Sequence, residues 1–259
     1  MDVIHFQIDE AFVTGYIHED HDRLIAHKVR PALIICPGGG YNHVSRREAD
    51  PPALAFSAIG YQVFHMTYSL NEKAGNYQPL HELAEVVKTV RERAEEWHID
   101  PEKIAVMGFS AGGHLAASLA EYWNHPEMGI SPLSRPNALL LSYPVITLYE
   151  HTHQGTFDLV SGGDEAIREQ LSLERHVSKD VPPTFLWHTV EDEAVPVENS
   201  LLFMRELQKN GVPFEAHIFA HGPHGQSVCT REVEAVNPEC RKWVGLAQTW
   251  LNNLFEFEV

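Results

Sequence analysis

The stretch Lys103-Ile104-Ala105-Val106-Met107-Gly108-Phe109-Ser110-Ala111-Gly112-Gly113-His114-Leu115 constrains this chain more than any other. An apolar run of strand length meets a glycine, a serine follows two residues later, and small residues then open a helix. Strand and helix converge so closely at such a corner that side chains beside the serine would collide, which explains Gly108 and Gly112. The corner exposes the serine hydroxyl, as a nucleophile requires. A serine hydroxyl is barely nucleophilic at neutral pH. The corner therefore demands a general base, a carboxylate to orient that base, and N–H donors for a developing oxyanion.

The rest of the chain supplies a framework. A pair of β segments over 3–8 and 11–17 is expected at a sheet edge, antiparallel. Ala32-Leu33-Ile34-Ile35-Cys36 reads as a strand buried on both faces. A helix is expected over 52–59 and a strand over 61–68. Leu80, Leu83, Ala84, Val87, Val90, Ala94 and Trp97 recur at helical spacing, which predicts an amphipathic helix closing at His98-Ile99-Asp100-Pro101. The helix after Ser110 should run to about Trp123. Strands follow over 138–142, 184–189 and 214–219, with helices over 198–209 and 242–255. This alternation predicts one α/β domain over 1–259, with a mostly parallel central sheet and helices on both faces. The polar stretch 147–183 is too long for a simple connection and is expected to form a small, partly helical cap.

In such a sheet, function sits beyond the carboxyl ends of the strands. After 184–189 stands Val190-Glu191-Asp192-Glu193-Ala194-Val195-Pro196, with three candidate carboxylates. Asp192 is preferred on its spacing to Val195-Pro196, leaving Glu191 and Glu193 as solvated neighbours. After 214–219 stands Ala220-His221-Gly222-Pro223-His224-Gly225. His224, deeper in this rigid loop, is preferred over His221 as the base. Gly39 and Gly40, with Ala111 just after the serine, are the candidate oxyanion donors, because glycine lets backbone N–H groups approach a substrate. The set His217, His221 and His224 could instead hold a metal, but its spacing fits no zinc pattern. No metal or cofactor is expected.

Composition narrows the partners. With 19 Lys+Arg against 36 Asp+Glu, the formal charge is −17. Nucleic acid and anionic membranes would be repelled, so the partner is expected to be a small molecule, neutral or with its charge handled locally. No apolar run is long enough to span a membrane and the first residues do not read as a signal peptide. Cys36, Cys229 and Cys240 read as reduced thiols, so a cytoplasmic location is expected. The N-terminal β pair leaves a homodimer open.

Pro37-Gly38-Gly39-Gly40-Tyr41, Arg47-Glu48-Ala49, Gly60-Tyr61-Gln62-Val63-Phe64, Tyr68-Ser69 and the segment from Gly108 to Leu115 resemble the bacterial α/β-hydrolase acetyl esterase group. That group comprises acetylxylan-esterase-like or BD-FAE-like carboxylesterases. Pro182-Pro183-Thr184-Phe185-Leu186-Trp187-His188, Asp192 with Val195-Pro196-Val197, and Gly222-Pro223-His224-Gly225 are similar to its second half. The resemblance covers about 30–255 and implies the α/β-hydrolase fold. It also implies a triad of Ser110, Asp192 and His224, with the glycine loop and Ala111 as oxyanion donors. One departure is Pro37, where many relatives have a histidine that buttresses the loop; altered loop support is expected. The implied activity is hydrolysis of small acyl esters, especially acetyl groups on carbohydrates such as xylo-oligosaccharides. Tyr41, Tyr68, Trp123 and the stretch 149–157 are candidate substrate-binding residues. An arylformamidase-type or peptidase-like amide hydrolase would use the same triad, and a non-catalytic binding module would need none of it.

Overall fold

The computed structural model describes residues 1–19 and 28–258. Its β1 (Asp2–Ile8) and β2 (Ala11–Ile17) form an antiparallel hairpin, and β2 pairs antiparallel with β4 (Gln62–Met66). Beyond β4 every pairing is parallel, through β3 (Arg30–Cys36), β5 (Ile99–Phe109), β6 (Ala138–Ser142), β7 (Thr184–Thr189) and β8 (Phe214–Phe219). The order across the sheet is β1-β2-β4-β3-β5-β6-β7-β8, an α/β-hydrolase fold.

Two apolar layers cover the sheet. Leu33, Ile35, Met107 and Leu140 pack under α1 (Asp50–Ser57) and α7 (Lys242–Phe255). Ile34, Val106, Leu139 and Leu141 face α2 (Gln78–Glu92), α3 (Ala111–Tyr122) and α6 (Glu198–Lys209). Successive strand residues point to opposite faces, so a strand covered on both sides must be apolar throughout. Each such side chain contributes about 1.5–3 kcal/mol by leaving water.

The segment 147–183 holds α4 (Gln154–Ser161), α5 (Glu165–Gln170) and a 3₁₀ turn at Leu173–Arg175. Asp164 caps α5 by accepting the N–H groups of Ala166 and Ile167. The segment is tied down on α3, where His114 Nε2 donates to the Leu171 carbonyl at 2.9 Å. Tyr122 donates to the Gln170 carbonyl beside it.

Two expectations shift. The helix periodicity that runs on to Trp97 outlasts the helix: α2 ends at Glu92, and the chain turns through a left-handed His98. Trp97 stays buried there because it stacks on Phe6 at 5.6 Å, so its place in the period reflects burial alone. The strand carrying the serine starts at Ile99, which pairs with Arg30 before a register shift. It is therefore longer than the run 104–107, and Asp100-Pro101 do not end a helix.

Candidate active site

Ser110 joins β5 to α3 with φ 54° and ψ −121°. Such a backbone costs a side-chain-bearing residue about 1–3 kcal/mol, so its surroundings must hold it. Here the Ser110 N–H donates to the Ser142 carbonyl at 3.0 Å, while its own carbonyl accepts from Gly113, His114 and Val145. A Cβ at Gly112 would collide with the Cys36 carbonyl, so the tight approach of α3 to β3 needs glycine.

Ser110 Oγ lies 2.8 Å from His224 Nε2, and His224 Nδ1 lies 2.6 Å from Asp192 Oδ2. The carboxylate can only accept, so Nδ1 carries the proton and Nε2 is free to take one from the serine. Asp192 is held in turn. Its Oδ1 accepts the N–H groups of Ala194 and Val195 at 3.0 and 2.9 Å. Burial alone would raise its pKa, but hydrogen bonds from His188 and His224, the charge of His224 and the Val195 N–H outweigh that and hold it well below the usual range. His188, fully buried in β7, donates from Nε2 to the Val195 carbonyl at 2.9 Å, with Asp192 Oδ2 at 3.3 Å. Sequence reasoning missed this positioning role; its signal is a histidine inside an apolar strand, four residues before the acid.

Glu191 is more than a solvated neighbour. It accepts from His221 Nδ1 at 2.8 Å and from the Gly222 N–H at 3.1 Å, bracing the loop that presents His224. The three histidines thus meet three different carboxylates, since His217 meets Glu215. Among the described residues, no group of three or more His, Cys, Asp or Glu gathers at a metal-holding distance.

The N–H groups of Gly39, Gly40 and Ala111 have no protein acceptor among the described residues. Gly38 differs: its N–H donates to Glu48 Oε2 at 2.8 Å. The buried Glu48 also accepts from Tyr143 at 2.7 Å, and Tyr143 accepts the Ser227 N–H at 2.8 Å. Tyr68 donates to the Pro37 carbonyl at 2.7 Å. Loop support therefore comes from Glu48 and Tyr68 in a chain with proline at 37. Gly39 adopts φ 128°, and a Cβ there would strike the His43 carbonyl.

A cleft of about 230 Å³ opens over Ser110, lined by Gly39, Gly40, Ser45, Arg47, His153 and His224. Asn42, His43 and the buried Glu48 complete its wall near the glycine loop. A larger cavity of about 610 Å³, between the N-terminal hairpin and the loop before α1, contains no such serine–histidine–aspartate chain.

Residues 70–246 match the prolyl oligopeptidase family. A sugar hydrolase from Lactococcus lactis is 38% identical, with a TM-score of 0.84 and coverage of 98% of this chain and 99% of that one. An acetyl ester-xyloside bifunctional hydrolase from Caldicellulosiruptor lactoaceticus is 35% identical, with a TM-score of 0.83, covering 95% of this chain and 88% of that one. The endo-1,4-beta-xylanase B of Butyrivibrio fibrisolvens is 35% identical over 229 residues, 84% of this chain and 35% of that protein. The chain belongs to the prolyl oligopeptidase family of α/β hydrolases. It spans less than half the length of the first curated relatives it matches.

Three expected pocket residues lie elsewhere. Tyr41 is buried with its hydroxyl on His114 Nδ1 at 3.1 Å, and its ring lies 5.5 Å from that of Tyr68. Tyr68 supports the loop from beneath and faces the larger cavity. Trp123 stands at the far end of α3, about 20 Å from Ser110 at the helical rise, with its indole N–H on the Asp180 carbonyl. Aromatic type suggested all three, but their rings serve packing. From the stretch 149–157 it is His153 that reaches the cleft, and no aromatic residue does so.

Proposed function

We propose that the protein is a serine carboxylesterase that removes small acyl groups, acetyl above all, from carbohydrates such as xylo-oligosaccharides. The observation that carries this reading is the unbroken hydrogen-bonded chain Asp192–His224–Ser110 beside three unpaired N–H groups. Ser110 Oγ attacks the ester carbonyl as its proton passes to His224 Nε2. Asp192 stabilises the resulting imidazolium, and the N–H groups of Gly39, Gly40 and Ala111 stabilise the oxyanion. The imidazolium gives its proton to the departing alcohol, leaving an acyl-enzyme. Water, deprotonated by the same imidazole, then releases the acid and restores Ser110.

The small cleft supports a short acyl group, and its polar wall supports a hydroxylated alcohol. Named relatives that act on acetyl esters and xylan support the same substrate class. The segment 147–183 acts as the cap of a single domain. Free, buried Cys36, Cys229 and Cys240 support a reducing, cytoplasmic setting. Among the described residues, no helix is long and apolar enough to cross a membrane.

The family's name favours a second reading, amide or peptide hydrolysis on the same triad. Rates on p-nitrophenyl acetate, butyrate and octanoate, on acetylated xylo-oligosaccharides, and on N-formylkynurenine and an aminoacyl p-nitroanilide separate the two. The esterase reading expects acetate to lead the series. A preference for either amide overturns it.

A further inference from the structure

We infer, resting on the esterase reading above, that the cleft takes esters whose alcohol portion carries a carboxylate, and that Arg47 is the group that holds it. A chain with a formal charge of −17 repels anions at long range, so an anionic substrate needs a local cation. Arg47 lines the cleft. Its guanidinium has no carboxylate partner among the described residues. Many other cations on this acidic surface are paired, as in Arg93–Glu96, Arg168–Glu165, Arg175–Glu169 and Lys209–Glu206. Among the described lysines and arginines, Arg47 is the one that lines the cleft over Ser110.

Its position assigns the part of the substrate it meets. A Cβ on Gly225 would fall 2.9 Å from Arg47 Nη2, so the guanidinium rests over the residue that follows His224. The departing alcohol must lie next to His224 Nε2, which protonates it. Arg47 therefore faces the alcohol side. Its backbone is fixed, because the Arg47 carbonyl accepts from the Ser227 hydroxyl. The one carboxylate in the cleft wall, Glu48, has its oxygens committed to Gly38 and Tyr143 and leaves the guanidinium free.

The rest of the wall also favours an acceptor-rich ligand. His153 Nδ1 accepts the Thr156 N–H at 3.2 Å as the cap of α4, so the ring proton sits on Nε2. Burial, and then the nearby His224, lower its pKa and keep it a neutral donor. A planar guanidinium presents two parallel N–H groups to a carboxylate, a match that neutral hydroxyls do not offer. An acetylated uronic acid glycoside has this chemistry.

The test compares kcat/KM for an O-acetylated methyl xyloside and the matching O-acetylated methyl glucuronoside, which differ by the ring carboxylate. We expect wild type to prefer the uronoside by about tenfold, the size of one charge-assisted hydrogen bond. Raising the ionic strength should shrink that ratio, and Arg47→Gln should bring it close to one. A wild-type ratio near one, or a preference that survives both salt and Arg47→Gln, overturns the assignment. The wild-type ratio and its salt dependence decide the matter even if the variant fails to fold. Turnover of p-nitrophenyl acetate distinguishes the failures. With turnover and no uronoside preference, only the Arg47 assignment falls; without turnover, the esterase reading falls as well.

Discussion

Ser110, Asp192 and His224 follow three parallel strands, at the buried ends of β5 and β7 and at the end of the edge strand β8 that pairs with β7. Asn42, His43, Arg47 and His153 face them from a glycine-rich loop and from the segment 147–183. On the first side, backbone placement does most of the positioning: the residues that follow these strands are held by backbone hydrogen bonds, as at Ser110 and Asp192. On the second side, exposed side chains and the half-buried His153 form the surface. On the proposed esterase reading, the strand ends carry acyl transfer, while the wall selects the acyl group and the alcohol. Glu48 joins the two, since its carboxylate ties Gly38 in the loop to Tyr143 after β6.

Substitutions should sort by side. Ser110→Ala is expected to lower kcat on p-nitrophenyl acetate on the order of 10⁶-fold, and activity within tenfold of wild type would erase the distinction. Asp192→Asn keeps the shape but loses the charge that fixes the His224 tautomer, so kcat should fall on the order of 10⁴-fold. A loss confined to KM would move Asp192 to the wall. Glu48→Gln places an amide donor against the Gly38 N–H or the Tyr143 hydroxyl. It should cost roughly 10²-fold in kcat, near the cost of losing one oxyanion donor, with a smaller effect on KM. His153→Ala removes a donor from the wall and a cap from α4. It should raise KM up to about tenfold and change kcat less, as expected of binding shared by ground and transition states; a large fall in kcat would place His153 with the reacting groups.

The smallest effect concerns stability. His114 holds the segment 147–183 to α3 as a buried neutral imidazole, its pKa lowered by burial from 6.5 to about 4. Between those values the unfolded chain binds more protons than the folded one, so stability is full above about 6.5 and declines as pH falls toward 4. Melting temperatures at pH 7 and pH 5 should converge in His114→Gln. An unchanged difference would show that acid sensitivity arises elsewhere.

The strand-end side was legible in the sequence because burial leaves a pattern. The runs 32–36 and 138–141 are apolar without a break; glycines follow the first, and Ser110, Asp192 and His224 follow β5, β7 and β8. Asp192 could be told from Glu191 by its spacing to Val195-Pro196, and its Oδ1 does bond the Ala194 and Val195 N–H groups. The wall left no such trace. Asn42 and His43 look like ordinary surface residues, Arg47 is marked only by the resemblance of Arg47-Glu48-Ala49, and only the folded loop brings all three over Ser110. Aromatic type points to Tyr41 and Tyr68, yet a tyrosine serves equally well as a buried strut. Trp97 misled in the same way, since a hydrophobic period can continue through an irregular turn if the ring still reaches the core.

The central claim is that Ser110 forms an acyl-enzyme under the control of His224. Its most direct test is rapid quenching of enzyme mixed with p-nitrophenyl acetate, followed by intact-mass measurement and peptide mapping. One acetyl group on the peptide containing Ser110, formed at a rate competent for turnover and absent in Ser110→Ala, is the predicted result. Turnover with the acetyl group on another residue, or with no covalent intermediate and full activity in Ser110→Ala, would contradict it.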